Sequence, residues 1–264
     1  MQKYLLILSF VCSLLNAQTI KVKPEFGKFF SENNVTGSFI LLNDSTGDMT
    51  IFNESQIDSG FITASTFKIF NSLLFLETGV VKDENEVTPW DSVVRNNPNW
   101  DKDQTMANAF RSSTVWYYQK YAREVGEERM QHWINKADYG NKNIGGGIDR
   151  FWLNGEIRIT PREQVNFIRR LYHNQLPFSQ RSMDILKKIF IYKEFDGIVY
   201  RGKTGMSEMN NTDIGWWVGS ITKGSNTWFF ALCVQNTNPD NPKFIPCRIE
   251  IAEKILKDLG VLPK

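Results

Sequence analysis

The run Ser65-Thr66-Phe67-Lys68-Ile69-Phe70-Asn71-Ser72-Leu73-Leu74-Phe75-Leu76 constrains this chain more than any other stretch. Read as a helix it has almost no polar face, so it belongs inside a protein, covered on all sides by other elements. Ser65 and Lys68 stand three apart in it and share one side. Burial disfavours an ammonium and lowers the amine's pKa from about 10.4. A neutral amine beside a hydroxyl is what a serine nucleophile needs when lysine replaces histidine as its base. The tetrapeptide alone can arise by chance, and Ser220-Ile221-Thr222-Lys223 has the same S-x-x-K spacing. That second match lies in an alternating run ending at the turn Lys223-Gly224-Ser225-Asn226, where residues three apart in a strand point to opposite faces.

The chain has 264 residues and a formal net charge of +2, enough for one or two compact domains with a sizeable core. Acidic and basic residues are interspersed, which leaves no footprint for nucleic acid. Eight Trp and nineteen Phe describe a packed globule and not a disordered chain. Lys3, the apolar run Tyr4 to Leu15 and then Asn16-Ala17 read as an export signal too short to span a membrane, with cleavage expected after Ala17. Cys12 lacks the small residues of a lipoprotein box, so no lipid anchor is expected. No other stretch is long and apolar enough to cross a bilayer. The expected product is exported and periplasmic, with residues 18–264 as one domain. Cys233 and Cys247 remain, and an oxidising compartment permits a bridge between them. The preferred reading is two buried thiols acting as small hydrophobes. Oligomeric state has no signature in the sequence.

Along the chain, β-rich ends enclose a helical middle. Residues 37–43 and 49–53 form a hairpin pattern around Asp44-Ser45-Thr46-Gly47-Asp48. From about 65 to 190 helical signals dominate. Thr160-Pro161-Arg162-Glu163 is a capping box opening a helix with Val165, Ile168, Leu171 and Tyr172 on one face. Ala122 to Lys136 and Met183 to Tyr192 are further amphipathic candidates, and the Gly/Asn-rich segment Tyr139 to Gly155 is a loop. Strands return at 197–206, 213–222 and 227–235, and a helix from about Cys247 to Leu259 ends at Gly260. This order predicts an α/β (α+β) fold: an antiparallel sheet built from both chain ends and flanked by helices, with an all-helical insertion beside it. The sheet part is expected at about 18–62 and 193–264, the helical part at about 63–192, and the active site between them.

Other short patterns accompany Ser65 and Lys68. Lys203-Thr204-Gly205 closes a strand pattern, where glycine permits close backbone approach and the other two supply a cation and a hydroxyl; alone it is equally a strand ending in a turn. Ser113-Thr114-Val115 lies at the entrance of the helical run Trp116 to Val125, where a serine can simply cap the helix; Ser92-Val93-Val94 has the same form. Tyr139-Gly140-Asn141 sits at the edge of the loop and reads as turn chemistry. The two histidines, His132 and His173, lie in helix-like runs with no G-x-S-x-G serine to serve, which argues against a Ser-His-Asp hydrolase. No H-E-x-x-H is present and ligand residues at metal spacing are lacking, so no metal is expected.

Taken together and in this order, Ser65–Lys68, Ser113–Val115, Tyr139–Asn141, Trp152 and Lys203–Gly205 resemble the S-x-x-K, S-x-V, Y-G-N, W and K-T-G elements of the class D (oxacillinase-type) serine β-lactamases. The flanks Ala122-Arg123-Glu124-Val125-Gly126, Gly146-Gly147-Ile148-Asp149 and Trp216-Trp217-Val218-Gly219 are similar too, so the resemblance covers essentially the whole mature chain. It implies a small-molecule β-lactam substrate and an acyl-enzyme on Ser65 with Lys68 as base. Lys68 is then carboxylated by CO2 or bicarbonate, with no other cofactor. Trp152 resembles the tryptophan whose indole holds that carbamate, and Phe67 and Val115 would line the dry pocket around it. The resemblance further implies an oxyanion hole from the backbone N–H groups of Ser65 and Met206, and proton transfer to the leaving nitrogen by Ser113. Substrate binding would fall to Val115, Lys203, Thr204, Gly205 and Arg248: Lys203 and Thr204 help hold the substrate carboxylate, as does Arg248, whose guanidinium fork suits it; Arg248 can also be a surface cation at a helix start. A penicillin-binding sensor that is acylated but not turned over, a D,D-peptidase, and a non-catalytic exported binding protein are the rival readings.

Overall fold

Two chain ends meet in one sheet, and everything between them packs on one of its faces. The computed structural model describes residues 19–264; the export signal expected at 1–17, and Cys12 with it, lie outside the described residues. The first elements are β1 (Ile20–Val22), α1 (Gly27–Ser31), β2 (Thr36–Asn43), β3 (Met49–Phe52), α2 (Glu54–Ile57) and β4 (Phe61–Ile62). The middle holds α3 (Lys68–Thr78), α4 (Met106–Ser112), α5 (Val115–Val125), α6 (Glu127–Ala137), the two-residue β5 (Arg158–Ile159), α7 (Pro161–Tyr172) and α8 (Gln180–Ile189). Then come β6 (Ile191–Phe195), β7 (Ile198–Met209), β8 (Thr212–Lys223), β9 (Asn226–Asn236) and α9 (Phe244–Asp258). Seven strands run in the order β1-β3-β2-β9-β8-β7-β6, antiparallel except for the parallel pair of β1 and β3 at one edge. No described helix is long and apolar enough to cross a membrane.

Both faces of the central strands are buried, which explains their long apolar runs in an antiparallel sheet. Along β9, Phe229, Ala231 and Cys233 join the core under the middle helices, while Phe230, Leu232 and Val234 join the core under α1 and α9. Trp216 and Val218 of β8 face the first core, and Trp217 and Ile221 the second. The same alternation settles the cysteines. Cys233 and Cys247 are both buried and free, and they lie in different cores on opposite faces of the sheet.

Local signals fixed several boundaries. Thr160 Oγ1 accepts from the Glu163 N–H at 3.1 Å while the Glu163 carboxylate accepts from the Thr160 N–H at 2.8 Å, so the capping box starts α7. The Gly224 turn (φ 58°) joins β8 to β9 as its composition predicts. Other expectations need correction. The stretch Ala122 to Lys136 is two helices and not one, because Gly126 adopts φ 79° and Glu127 and Glu128 begin a fresh N-terminus. The helix expected over Met183 to Tyr192 runs Gln180–Ile189 with Ser179 as its cap, and Tyr192 belongs to β6. The last helix starts three residues earlier than expected, at Phe244. Lys203-Thr204-Gly205 does not end its strand: β7 continues to Met209 and turns through Asn210 and Asn211, both left-handed at φ 53° and 56°.

Gly202 marks how tightly β7 sits on the second core. A Cβ there would lie 2.1 Å from the ring of Trp217, and that ring is anchored by its Nε1 donating to Tyr200 Oη at 2.7 Å. Gly202→Ala is expected to lower unfolding free energy by about 1–3 kcal/mol in urea denaturation. An unchanged midpoint would contradict this packing.

Candidate active site

The site begins at a strained turn. β4 pairs with β5 (Ile62 with Arg158), and the chain then passes through Ala64 at φ 48°. A non-glycine residue there costs on the order of 1–3 kcal/mol, so its surroundings must hold it. Thr66 Oγ1 donates to Thr63 O at 2.6 Å and accepts from Gln164 Nε2 of α7 at 2.8 Å. Ala64–Phe67 form one tight 3-10 turn and α3 proper starts at Lys68, so the expected single helix has a wound-up first turn. That turn brings Lys68 Nζ within 2.8 Å of Ser65 Oγ.

Lys68 is completely buried. Burial pushes its amine well below the ordinary lysine range, and the nearby positive charge of Lys203 adds to the effect. A charged ammonium with no carboxylate beside it would carry a desolvation cost of several kcal/mol. The neutral amine is therefore favoured, and it can accept the Ser65 hydroxyl proton. The walls are aromatic: the Tyr118 ring centroid lies 5.1 Å from Lys68 Nζ. Tyr118 Oη and Ser72 Oγ are 2.9 Å apart, and Ser72 donates to Lys68 O at 2.8 Å. On the other side Phe67 stacks on Trp152 at 5.8 Å and meets Tyr139 and Phe151 edge-on. Trp152 is fully buried and its Nε1 has no hydrogen-bond partner among the described residues. Val115 is half-buried at the start of α5, the helix that carries Tyr118.

Tyr139-Gly140-Asn141 acts one step back. Asn141 Oδ1 accepts from the Arg158 N–H at 3.0 Å, its N–H donates to Arg158 O at 3.0 Å, and its Nδ2 donates to Glu156 O at 2.9 Å. Gly140 has φ 51°, and a Cβ there would lie 2.1 Å from Arg158 O. The motif thus clamps β5, which pairs with β4, which leads into Ser65. Turn chemistry is its visible work.

The opposite wall is β7. β6 pairs with it only as far as Arg201, so beyond that point its outer edge has no strand partner among the described residues. Gly202 N–H points outward to Phe190 O at 3.1 Å. Successive backbone groups alternate sides, so the N–H groups of Thr204 and Met206 face the same open edge. Met206 itself is half exposed. Gly205 lets this strand close on the Ser65 turn, since a Cβ there would be 3.2 Å from Thr66 Cγ2 and 3.3 Å from Thr63 O. Lys203 pairs with Val218 across the sheet, so its side chain faces the helices, where Nζ donates to Ser113 Oγ. Burial, then repulsion from Arg248, lowers the Lys203 pKa to about 7. Arg248 Nη1 donates to Gly205 O at 2.9 Å and Nε to Ile245 O at 2.9 Å, and burial lowers its pKa as well. Thr204 sits opposite Trp217 on the other face and lines, with Lys203, Phe110 and Tyr192, a cavity of about 360 Å³.

Ser113 is not the cap of α5. It closes α4 at φ 55°, and Thr114 occupies the capping position. Two indoles hold that junction: Trp116 Nε1 donates to Trp100 O, and Trp100 Nε1 to Ser112 O, each at 2.9 Å. Reasoning from sequence missed Trp100, Tyr118, Ser72 and Gln164. Tyr118 lies three after Val115 on a helix, a spacing that signals only a common face. The two histidines lie elsewhere: His173 Nε2 contacts Asp44 at 2.9 Å, and His132 is exposed.

Residues 37–258 match the model of the penicillin-binding protein transpeptidase domain. The chain is 39% identical over 260 residues to the β-lactamase OXA-5 of Pseudomonas aeruginosa, covering 97% of this chain and 96% of that one. Its structure superposes on the class D β-lactamase YbXI from Nostoc with a TM-score of 0.86 at 40% identity, covering 91% of this chain and 100% of that chain. It also superposes on the C-terminal domain of the Bacillus licheniformis BlaR penicillin receptor, with a TM-score of 0.87 at 32% identity over 93% of this chain and 98% of that one.

Lys203 gives the protein a pH signature. Its pKa is about 7 when folded, against an ordinary value of 10.5, so between those two values the unfolded chain binds more protons and stability rises with pH. Below pH 7 the full penalty for charging the buried amine is present. Urea denaturation of wild type and Lys203→Met at pH 6 and pH 9 should show wild type gaining on the variant at the higher pH. A pH-independent difference would contradict the buried cation.

Proposed function

This chain belongs to the class D β-lactamase family, and from that premise we propose that it hydrolyses β-lactam antibiotics through an acyl-enzyme on Ser65. The observation that carries the reading is the 2.8 Å approach of Ser65 Oγ to Nζ of a fully buried lysine. Lys68, neutral by burial, takes the hydroxyl proton as Ser65 Oγ attacks the lactam carbonyl. The developing oxyanion is held by the N–H groups of Ser65 and Met206, each such donor being worth roughly 10²–10³ in rate. As the C–N bond breaks, Ser113 Oγ gives its proton to the departing nitrogen, a role worth about 10²–10⁴. Lys203, which donates to Ser113 Oγ, replaces that proton. Lys203, Thr204 and Arg248 bind the substrate carboxylate, with Arg248 braced by Gly205 O.

Deacylation needs a base for water at the same place. The pocket suits a carboxylated Lys68: the amine is buried and neutral, which makes it nucleophilic toward CO2, and the Trp152 indole N–H is buried without a partner. When carboxylated, Lys68 supplies an anionic base to that water. The apolar rings of Phe67, Phe151 and Tyr118 keep bulk water out, and Val115 completes the wall at the head of α5. The export pattern at Lys3 to Ala17 supports a periplasmic enzyme that confers β-lactam resistance.

Similarity to the BlaR receptor domain supports one other reading, a sensor that is acylated and stops. A chromogenic cephalosporin separates them: repeated turnovers are expected, and one stoichiometric burst would establish the sensor. Ser65→Ala should fall below about a hundredth of wild-type turnover, and activity above that would reject Ser65 as nucleophile. In CO2-depleted buffer wild-type activity should drop and recover on adding bicarbonate, whereas a flat response would reject carboxylation.

A further inference from the structure

Asn71 is fully buried on α3, and neither its Nδ2 nor its Oδ1 has a partner among the described residues. Unpaired buried amides are rare, and for folding alone an apolar residue of the same size would serve better. Its position on the helix gives a reason for it. At 3.6 residues per turn, Asn71 projects from the arc between Lys68 and Phe67. Phe67 carries the stack on Trp152, and Lys68 faces Tyr118. The orphaned amide therefore emerges between the reactive amine and the wall holding the orphaned Trp152 indole. Asn71 thus lies one helical turn beyond Lys68, on the side of Phe67 and its Trp152 stack, and both it and the Trp152 indole are buried without partners among the described residues.

We propose that Asn71 is a positioning residue of the Lys68 pocket: its carboxamide N–H, with the Trp152 indole N–H, holds the carbamate formed when Lys68 takes up CO2. This rests on the carboxylation reading above. In that step the neutral Nζ lone pair forms an N–C bond to CO2, one C=O π pair moves onto oxygen, and one proton leaves the nitrogen for solvent. The product carries a full negative charge in a ring-lined pocket, where one donor leaves most of its lone pairs bare and a second donor makes a charge-assisted bond.

The test uses ¹³C-labelled bicarbonate and the carbamate resonance in ¹³C NMR, titrated in wild type, Asn71→Leu and Asn71→Asp, with thermal melts in bicarbonate-free buffer. Wild type should show a bicarbonate-dependent carbamate signal. Asn71→Leu should need about tenfold or more bicarbonate for half-maximal signal while melting no lower than wild type, because the change removes two unpaired groups. Asn71→Asp keeps the shape, replaces the donor with a like charge, and should shift the midpoint further. It carries the test if the leucine variant misfolds. A wild-type midpoint in a folded variant would overturn the role of Asn71 alone. Absence of the resonance from wild type would instead overturn carboxylation.

Discussion

Everything at this site depends on the removal of one amine from water. Lys68 lies beneath aromatic rings with Ser65 Oγ as the near polar partner of its nitrogen, so the ammonium form is penalised and the lone pair is available. Burial therefore holds the amine well below the ordinary lysine range, because a hydroxyl offers little compensation for a desolvated charge. The same dryness serves both halves of the proposed reaction. In that proposal it makes the amine a base toward Ser65 and a nucleophile toward CO2.

Holding that amine in place is the work of contacts around the Ser65 turn. The Ser65 turn is strained at Ala64 and is restrained from three directions: β4 through its pairing with β5, Thr66 through Gln164 of α7, and β7 through the bare backbone of Gly205. Asn141 and Gly140 secure β5 in turn. Strain of this kind survives only where surrounding contacts over-determine it, and these contacts come from segments far apart in the chain.

The sheet adds the second requirement, an accessible edge. β6 abandons β7 after Arg201, which leaves the outward N–H groups of Thr204 and Met206 facing the cleft while inward groups stay paired with β8. Both faces of the central strands are covered, so access to the site comes along the open edge of β7, where Met206 is exposed. Buried Lys203 and partly buried Arg248 stand near that edge, and the charge of Arg248 adds to the burial that lowers the Lys203 pKa, an arrangement ready for an anion.

Much of this was legible from the residues because short-range rules govern it. The capping box at Thr160, the Gly224 turn and the apolar run of α3 are decided within a few residues and form as read, while the Ser65–Lys68 run forms with a tighter 3-10 first turn than the single helix expected. Gly126 was legible in principle, since glycine followed by two glutamates signals a new helix, yet the stretch Ala122 to Lys136 reads as one amphipathic helix. Tyr118, Trp100 and Gln164 had no such signal, because their partners are 46, 12 and 98 positions away. By itself the sequence determined which groups could react, through residue type and helical period. Only the tertiary structure decided their state: burial, which depends on the whole fold closing around Lys68, lowered its pKa, and the early end of β6 set where β7 stays open.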